Sequence, residues 1–353
     1  MDHKQELKDL MQTVITQAGS DIHLSEGDHP TLRINEELIP LVNKEVLDDK
    51  TVRGLLNELI TSELYTEFKE NNELDFAYQY GDGTRFRGSA FIKSGTVGIV
   101  LRVIPQKIRT LQELNLPQSL EMFGRKKQGF FLAVGPVGVG KSTTLAAIIN
   151  QINNERAEHI VTIERPIEYI YTKSKSIVTQ REVPSDTKDF QTGLTGAFRQ
   201  DVNVILVGEM RDKETIAAAV SAAETGHLVF STLHTNNAPQ TINRIIDSFP
   251  AEQQDQIRIQ LAGTLTGIFS QRLIPRISGG LIPAYELLIN NTAVSNLIRE
   301  KRIHEISRVI ETGMGDGMVD YNRSLAELVR MGEITPENAY LYSHNPELLE
   351  KLM

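Results

Sequence analysis

The chain has 353 residues, enough for about two to three domains, with no cysteine, a net charge of −9 and a sequence pI of about 5.5. This excludes a disulfide framework and any thiolate metal site, fits a reducing compartment, and argues against nucleic acid as the main partner. A 40% hydrophobic share beside 24% charged residues is that of a soluble globular protein, not a disordered one.

The opening segment MDHKQELKDLMQTVITQAG carries charge every few residues and has no apolar core of signal-peptide length. No run approaches the ~18 apolar residues of a membrane span. The expected location is the cytoplasm, with no direct membrane insertion. Leu7, Leu10, Met11, Val14 and Ile15 have helical spacing over residues 3–18. SDIHL and TLRIN read as short strands, and residues 48–70 as helical. Three strand-like runs follow, ELDFAYQY, TRFRGSAFIK and GTVGIVLRVIP, separated by a turn at 81–83 and by Ser94 and Gly95. These elements predict a mixed α+β domain over 1–105, with a linker over 106–118 that contains Pro117.

The pattern then changes. GFFLAV, HIVTIE, IVTQRE, NVILVG and LVFSTL are short apolar runs between helical segments, which predicts an α/β core over 119–289 built on a parallel sheet covered on both faces. From about residue 290 to 353 the pattern is helical only.

GPVGVGKS at 135–142 matches the phosphate-loop pattern G-x-x-x-x-G-K-[ST], with a strand before it and the helical run STTLAAIINQI after it. Gly135, Gly138 and Gly140 let the backbone turn its N–H groups toward one centre, and the helix N-terminus adds partial positive charge. Lys141 is placed to reach the β- and γ-phosphates of ATP, and Ser142 to ligate Mg²⁺ through its hydroxyl. Pro136, Val137 and Val139 complete the set. The alternative, a glycine-rich turn with an incidental lysine, does not explain the full strand–loop–helix setting. A phosphate loop alone names no reaction.

The ends of the other strands narrow the choice, because ligands of open α/β sheets sit at the carboxyl ends of strands. NVILVGEMRD ends in Gly208, Glu209, Arg211 and Asp212. Glu209 suits a carboxylate beside the Mg²⁺ shell, against the alternative of a helix-cap acid. Glu164 closes HIVTIE in the same way. It can be a general base or water-orienting group, or a strand-end salt bridge. In TGHLVFSTLHTNNA, His227 precedes a strand and His234 follows it. His234 is a candidate γ-phosphate sensor, against the alternative of structural histidines.

These motifs together resemble the PilT family of secretion-type ATPases, the motors that retract type IV pili. The resemblance rests on GPVGVGKST, TIERPIEY, LVGEMRD, TGHLVFSTLHTNNA, the N-terminal SDIHLSEGDHPTLRINEELIPL and RFRGSAF, and AVSNLIRE at 293–300. It implies a RecA-like P-loop NTPase core, an N-terminal PAS-like α+β domain and a C-terminal helical region. Lys141 and Ser142, with Thr143 in support, would bind nucleotide phosphates and Mg²⁺. Glu164 and Glu209 would position or activate the attacking water, and His227 and His234 would report the γ-phosphate. The family forms homo-hexameric rings with nucleotide between subunits, so Arg85, Arg87 and Arg102 become candidates for arginine fingers supplied by a neighbour's N-terminal domain.

The resemblance further implies a cytoplasmic ring at the inner face of the cell membrane, working on an inner-membrane pilus platform protein. Hydrolysis would release γ-phosphate contacts between subunits, and the domains would rotate about the linker. In AVSNLIRE, Val294, Leu297 and Ile298 share one helical side, which is either a working surface or ordinary core packing. Two departures from the family pattern stand out: Arg165 replaces the usual Asp, and RQDVNVI replaces RQDPDVI. They keep a second reading open, a low-turnover nucleotide-binding ring that partners a paralogous retraction ATPase. A pilus-assembly or type II secretion ATPase is a third, disfavoured by the missing cysteines. Because Arg165 precedes Pro166, it is expected to be extended, so that it points away from Glu164 without pairing with it.

Overall fold

A computed structural model describes residues 2–34, 37–81, 83–104 and 107–353. Met1, Asn35 at the end of the second expected strand, Asp82 in the expected turn at 81–83, and Pro105 and Gln106 at the expected domain-to-linker boundary lie outside the described residues. The chain divides into two compact units, Met1–Lys107 with Glu168–Ile170, and Ile108–Ile167 with Tyr171–Met353.

The first unit contains α1 (His3–Thr16), β1 (Asp21–Ser25), β2 (Thr31–Ile34), β3 (Glu37–Pro40), α2 (Asp49–Leu59), α3 (Ser62–Asn71), β4 (Glu73–Gln79), β5 (Arg85–Lys93) and β6 (Thr96–Ile104). Its antiparallel sheet has the order β3-β2-β1-β6-β5-β4. The single helix expected over 48–70 is two helices, because Thr61 caps a new N-terminus by accepting from the Leu64 N–H. Leu7, Leu10, Met11 and Val14 of α1 join Val52, Leu55 and Leu56 of α2 and alternate residues of β5 and β6 in one apolar core. In β5, Phe86, Gly88 and Ala90 turn inward, which leaves Arg85 and Arg87 on the other sheet face.

The second unit runs through α4 (Glu121–Gly124), β7 (Gly129–Val134), α5 (Lys141–Glu155), β8 (His159–Glu164), β9 (Ile177–Glu182), α6 (Phe190–Ala197), β10 (Val204–Val207), α7 (Lys213–Glu224), β11 (Leu228–Leu233), α8 (Ala238–Asp247), α9 (Ala251–Thr264), β12 (Leu265–Pro275) and β13 (Leu281–Ile289). It ends in α10 (Thr292–Arg299), α11 (Ile306–Thr312), α12 (Tyr321–Arg330), α13 (Pro336–Tyr342) and α14 (Pro346–Leu352). The sheet order is β13-β12-β7-β11-β10-β8-β9, parallel throughout except for β13, which pairs antiparallel with β12.

Every residue of β7 is buried, as a strand covered on both faces requires. Phe130, Leu132 and Val134 join side chains of α6 through α9 in the main core, while Phe131 turns the other way onto Phe123 and Phe230. Val294, Leu297 and Ile298 of α10 also lie in the main core, so the apolar side of AVSNLIRE is packing; Asn296, Arg299 and Glu300 face outward. A further small core joins Ile274, Ile282 and Ala284 of the β12–β13 hairpin to Tyr321, Leu325 and Leu349 of the C-terminal helices. Among the described residues, no helix is long and apolar enough to cross a membrane.

Candidate functional site

The segment between β7 and α5 forms the phosphate loop. Gly135 (φ 143°) approaches β12 so closely that a Cβ there would collide with the carbonyl oxygen of Gln271. Gly140 (φ 85°) takes the left-handed conformation that turns the chain into α5, a conformation costly for any residue with a Cβ. Val137 stands at the loop tip, 83% exposed, between Pro136 and Gly138. Lys141, the first residue of α5, is buried and folds its ammonium back into the loop. Its Nζ donates to the carbonyls of Gly135 (2.8 Å) and Pro136 (2.7 Å). Ser142 and Thr143 follow on the first turn of the helix, both half-buried.

From Lys141 a polar row runs across the carboxyl edge of the sheet. Lys141 Nζ lies 3.3 Å from Nδ1 of His234, just past β11. His234 Nε2 lies 3.8 Å from Oε2 of Glu209, just past β10. Burial first, and then the positive charge of Lys141, hold the His234 imidazole below its usual pKa, although Glu209 pulls the other way. Lys141 can only donate, so Nδ1 of the neutral imidazole accepts its hydrogen bond and the ring proton sits on Nε2, the nitrogen that faces Glu209. Arg211 Nε is 2.8 Å from the other oxygen of Glu209. Glu209 is not the helix-cap acid. Asp212 holds that place, accepting from the Thr215 N–H at 2.7 Å.

Glu164 comes one strand further along the row. In the strand order β8 is three positions from β7, about 14 Å at the usual strand spacing, although it is the next strand in the chain. Glu164 is buried, and its Oε1 accepts from Thr162 Oγ1 (2.6 Å) and from Gln180 Nε2 (3.4 Å). Thr162 can do this because residues two apart share a strand face. Gly208 permits the close approach of β10, since a Cβ there would come within 3.3 Å of Glu164 Cα. The side chains of Glu164 and Arg165 part, the first buried and the second exposed. The Arg165–Pro166 bond is cis.

His227 is not brought to this edge. It precedes β11, whose first residue pairs with Gly129 at the start of β7, so it lies at the amino edge of the sheet. There its Nδ1 is 3.0 Å from the Ala222 carbonyl and its ring meets that of Phe198 at 5.6 Å. Arg85, Arg87 and Arg102 all belong to the first unit, on the paired strands β5 and β6, with Arg87 directly opposite Arg102. Arg102 Nε donates to buried Asp21 at 2.8 Å, and Arg87 lies 3.8 Å from Asp75.

Among the described residues, no group of three or more His, Cys, Asp and Glu side chains gathers as a metal cage. Mg²⁺ takes few protein ligands and keeps waters and phosphate oxygens. The Ser142 hydroxyl and the Glu209 carboxylate are the hard oxygen donors it prefers.

The sequence reading did not single out Thr162, Thr144 or Gln271. Thr162 was signalled by a lone polar residue in an otherwise apolar strand, two places before a glutamate. Thr144 Oγ1 donates to Gln271 Oε1 at 2.6 Å beneath the loop. That pair became visible only once β12 was seen beside β7.

A phosphate loop at the head of a parallel sheet, faced by strand-end carboxylates, defines a P-loop NTPase core of the RecA-like kind. The family model described as Type II/IV secretion system protein matches residues 3–281. A Pseudomonas aeruginosa protein named type IV pilus retractation ATPase PilT is 40% identical over 342 residues, covering 97% of this chain and 99% of that one. A second protein of that organism, named type IV pilus ATPase PilU, is 38% identical over 342 residues, covering 96% of this chain and 88% of that one. The crystal structure of the pilus retraction motor PilT with bound ADP superposes with a TM-score of 0.91 at 42% identity, covering 98% of both chains. The chain belongs to the Type II/IV secretion system protein family and, within it, to the PilT family.

Proposed function

We propose that this chain is an ATP-hydrolysing motor subunit, six copies of which form a ring that powers retraction of a type IV pilus and hence twitching motility. The observation that carries the reading is the row from Lys141 through neutral His234 to Glu209 at the mouth of the phosphate loop. Lys141 and the loop N–H groups supply the positive field for a triphosphate. His234 links that field to Glu209, so that loss of the terminal phosphate is felt at the end of β10. Glu164 and Glu209 hold the attacking water and take its proton. Water adds to the γ-phosphorus as the bond to the β-phosphate oxygen breaks, giving ADP, inorganic phosphate and one proton. Mg²⁺ held by Ser142, with Glu209 behind it, would neutralise phosphate charge.

Arg85, Arg87 and Arg102 of a neighbouring copy are the candidates to complete the site, each able to stabilise charge on the transferring phosphoryl group. The working parts would be an N-terminal domain over 1–105, a linker over 106–118, the catalytic core over 119–289 and a C-terminal helical region over 290–353. The ring would act in the cytoplasm at the inner face of the membrane, against a pilus platform protein.

A second reading draws on one finding: identity to the protein named PilU (38%) nearly equals identity to that named PilT (40%). In it, the chain is a low-turnover ring that partners a more active paralogue. Phosphate release by the purified chain, compared with Glu209→Gln, separates the two. The motor reading expects turnover that falls about a hundredfold in the variant, and twitching lost in cells carrying it. A well-formed hexamer without measurable phosphate release would sink it.

A further inference from the structure

Strand β7 stops at Val134, opposite Ser270 of β12, but β12 continues to Pro275 with β13 as its partner. The next residue of β12, Gln271, is therefore level with the phosphate loop and buried beneath it. Its Nε2 donates to the carbonyl of Val139, and its Oε1 accepts from Thr144 Oγ1 at 2.6 Å. The amide orientation follows from the partners. A carbonyl can only accept, so the NH₂ group must face Val139, which leaves the oxygen for the Thr144 hydroxyl. An ionised carboxylate of this length could only accept and an ammonium only donate, whereas the neutral amide does both at any pH.

The contact reaches the site through peptide geometry. In a trans peptide the C=O and the following N–H point in opposite directions. Drawing the Val139 carbonyl down toward Gln271 therefore aims the Gly140 N–H away from the buried side, as a phosphate-binding loop requires. Gln271 also ties the loop to the first turn of α5, where Lys141 and Ser142 sit. Its neighbours face the other way, as strand alternation demands. Ser270 Oγ donates to the Asn236 carbonyl (2.8 Å), and Arg272 Nη2 to Asn236 Oδ1 (2.9 Å), two residues beyond His234.

We propose that Gln271 is a positioning residue for nucleotide hydrolysis. It sets the direction of the Gly140 N–H, and with Ser270 and Arg272 it fixes the spacing between the phosphate loop and the segment that carries His234. This rests on the ATPase reading above. The terminal phosphate of bound nucleotide is held by many groups, so a misaimed donor costs little affinity. The transition state concentrates charge where that donor points, so the loss falls on turnover.

The test is steady-state ATP hydrolysis and fluorescent ADP binding by the full chain and four variants, with Tm measured for each. Gln271→Glu, assayed on the alkaline side of neutral so that its carboxyl is ionised, keeps the shape but replaces the donor with repulsion against the Val139 carbonyl. Its kcat is expected to drop at least about tenfold, the rate equivalent of one hydrogen bond, with KM and the ADP Kd within about threefold of wild type. Thr144→Val should fall in the same direction, and Thr144→Ser, which keeps the hydroxyl, should restore turnover. The Gln271→Glu, Thr144→Val double variant should be no slower than Gln271→Glu alone, because both cut one linkage. If Gln271→Glu does not fold, the contrast between Thr144→Val and Thr144→Ser decides alone. Turnover within about twofold of wild type in both Gln271→Glu and Thr144→Val overturns the proposal. So does a loss that merely follows the fall in Tm. A wild-type chain without turnover overturns the ATPase reading and this proposal with it, and is distinguished by the behaviour of the parent protein.

Discussion

Two histidines flank the same buried strand, β11, and have different surroundings. His234 leaves the carboxyl edge between a lysine ammonium and a carboxylate, and its pKa is held down by burial and by Lys141. His227 enters at the amino edge, about 20 Å away along a six-residue strand, against the end of α7 and the ring of Phe198. A box that is continuous in sequence is thus split in space. At the carboxyl edge the parallel strands end beside helix N-termini, whose partial positive charge favours anions; the amino edge gathers helix C-termini of the opposite polarity.

That contrast can be broken experimentally, most sharply at Glu164. Glu164→Gln keeps an acceptor for the Thr162 hydroxyl but removes the proposed base, so kcat should fall about a hundredfold with KM little changed. Turnover within about threefold of wild type would remove Glu164 from the chemistry. For the histidines, His234→Gln should cost about tenfold in kcat, and His227→Gln should leave nucleotide affinity within about twofold. An equal loss of turnover from His227→Gln would mean that the amino edge works through a neighbouring copy. The depressed pKa of His234 also predicts a pH profile. The imidazole stays neutral at pH 7, so activity should persist below its ordinary value of 6.5 and fall only as pH drops through the lowered folded pKa. That acid limb should be missing from His234→Gln.

A stability effect comes next. Glu286 of β13 is buried and caps α8 by accepting from the Ala238 N–H at 2.8 Å; burial, with a smaller push from Asp320, raises its pKa to about 7. Between pH 4.5 and 7 the unfolded chain ionises this group while the fold keeps it protonated. Its contribution therefore declines across that window and is fully unfavourable above it. Glu286→Gln keeps the cap, so it should raise stability by up to ~3 kcal/mol at pH 8 and change it little at pH 4. A Tm gain equal at both pH values would refute the assignment. The smallest effect is expected at Arg165. The side chain turns to solvent, so Arg165→Asp should alter turnover by about twofold or less. A many-fold rise in phosphate release would favour the low-turnover reading.

How far the sequence disclosed this depends on whether the signal was local. The five strands read as apolar runs are present, because a strand buried on both faces has few other options. The loop, Lys141, Glu164, Glu209 and His234 could be chosen because each stands where an apolar run stops. The hairpin of β12 and β13 was not read. Its stretch LTGIFSQRLIP interrupts the apolar run with Gly267, which leaves room for the ring of Phe123, and with Ser270, Gln271 and Arg272, each engaged with a partner at least 34 residues away in the chain. Polar residues in mid-strand look like a loop until their partners are known. The short edge strand β3 was missed because all four of its residues are exposed and carry no alternation.

In the first unit, Arg33, Asp21, Arg102 and Arg87 stand in register across four adjacent strands. Asp21 is 2% exposed; Arg102 is its nearest cation at 2.8 Å, Arg33 lies at 3.9 Å, and Ser20 donates to it at 2.7 Å. A phosphate that drew Arg102 away would compete with this resident anion for one guanidinium and leave Asp21 with Ser20 and the more distant Arg33. Arg87 lies 3.8 Å from the exposed Asp75, an attachment worth about 0–1 kcal/mol. Of these two arginines, Arg87 would be the cheaper one to lend to a neighbour, and Arg102 is the one that faces Asp21, the buried acid of this sheet among the described residues.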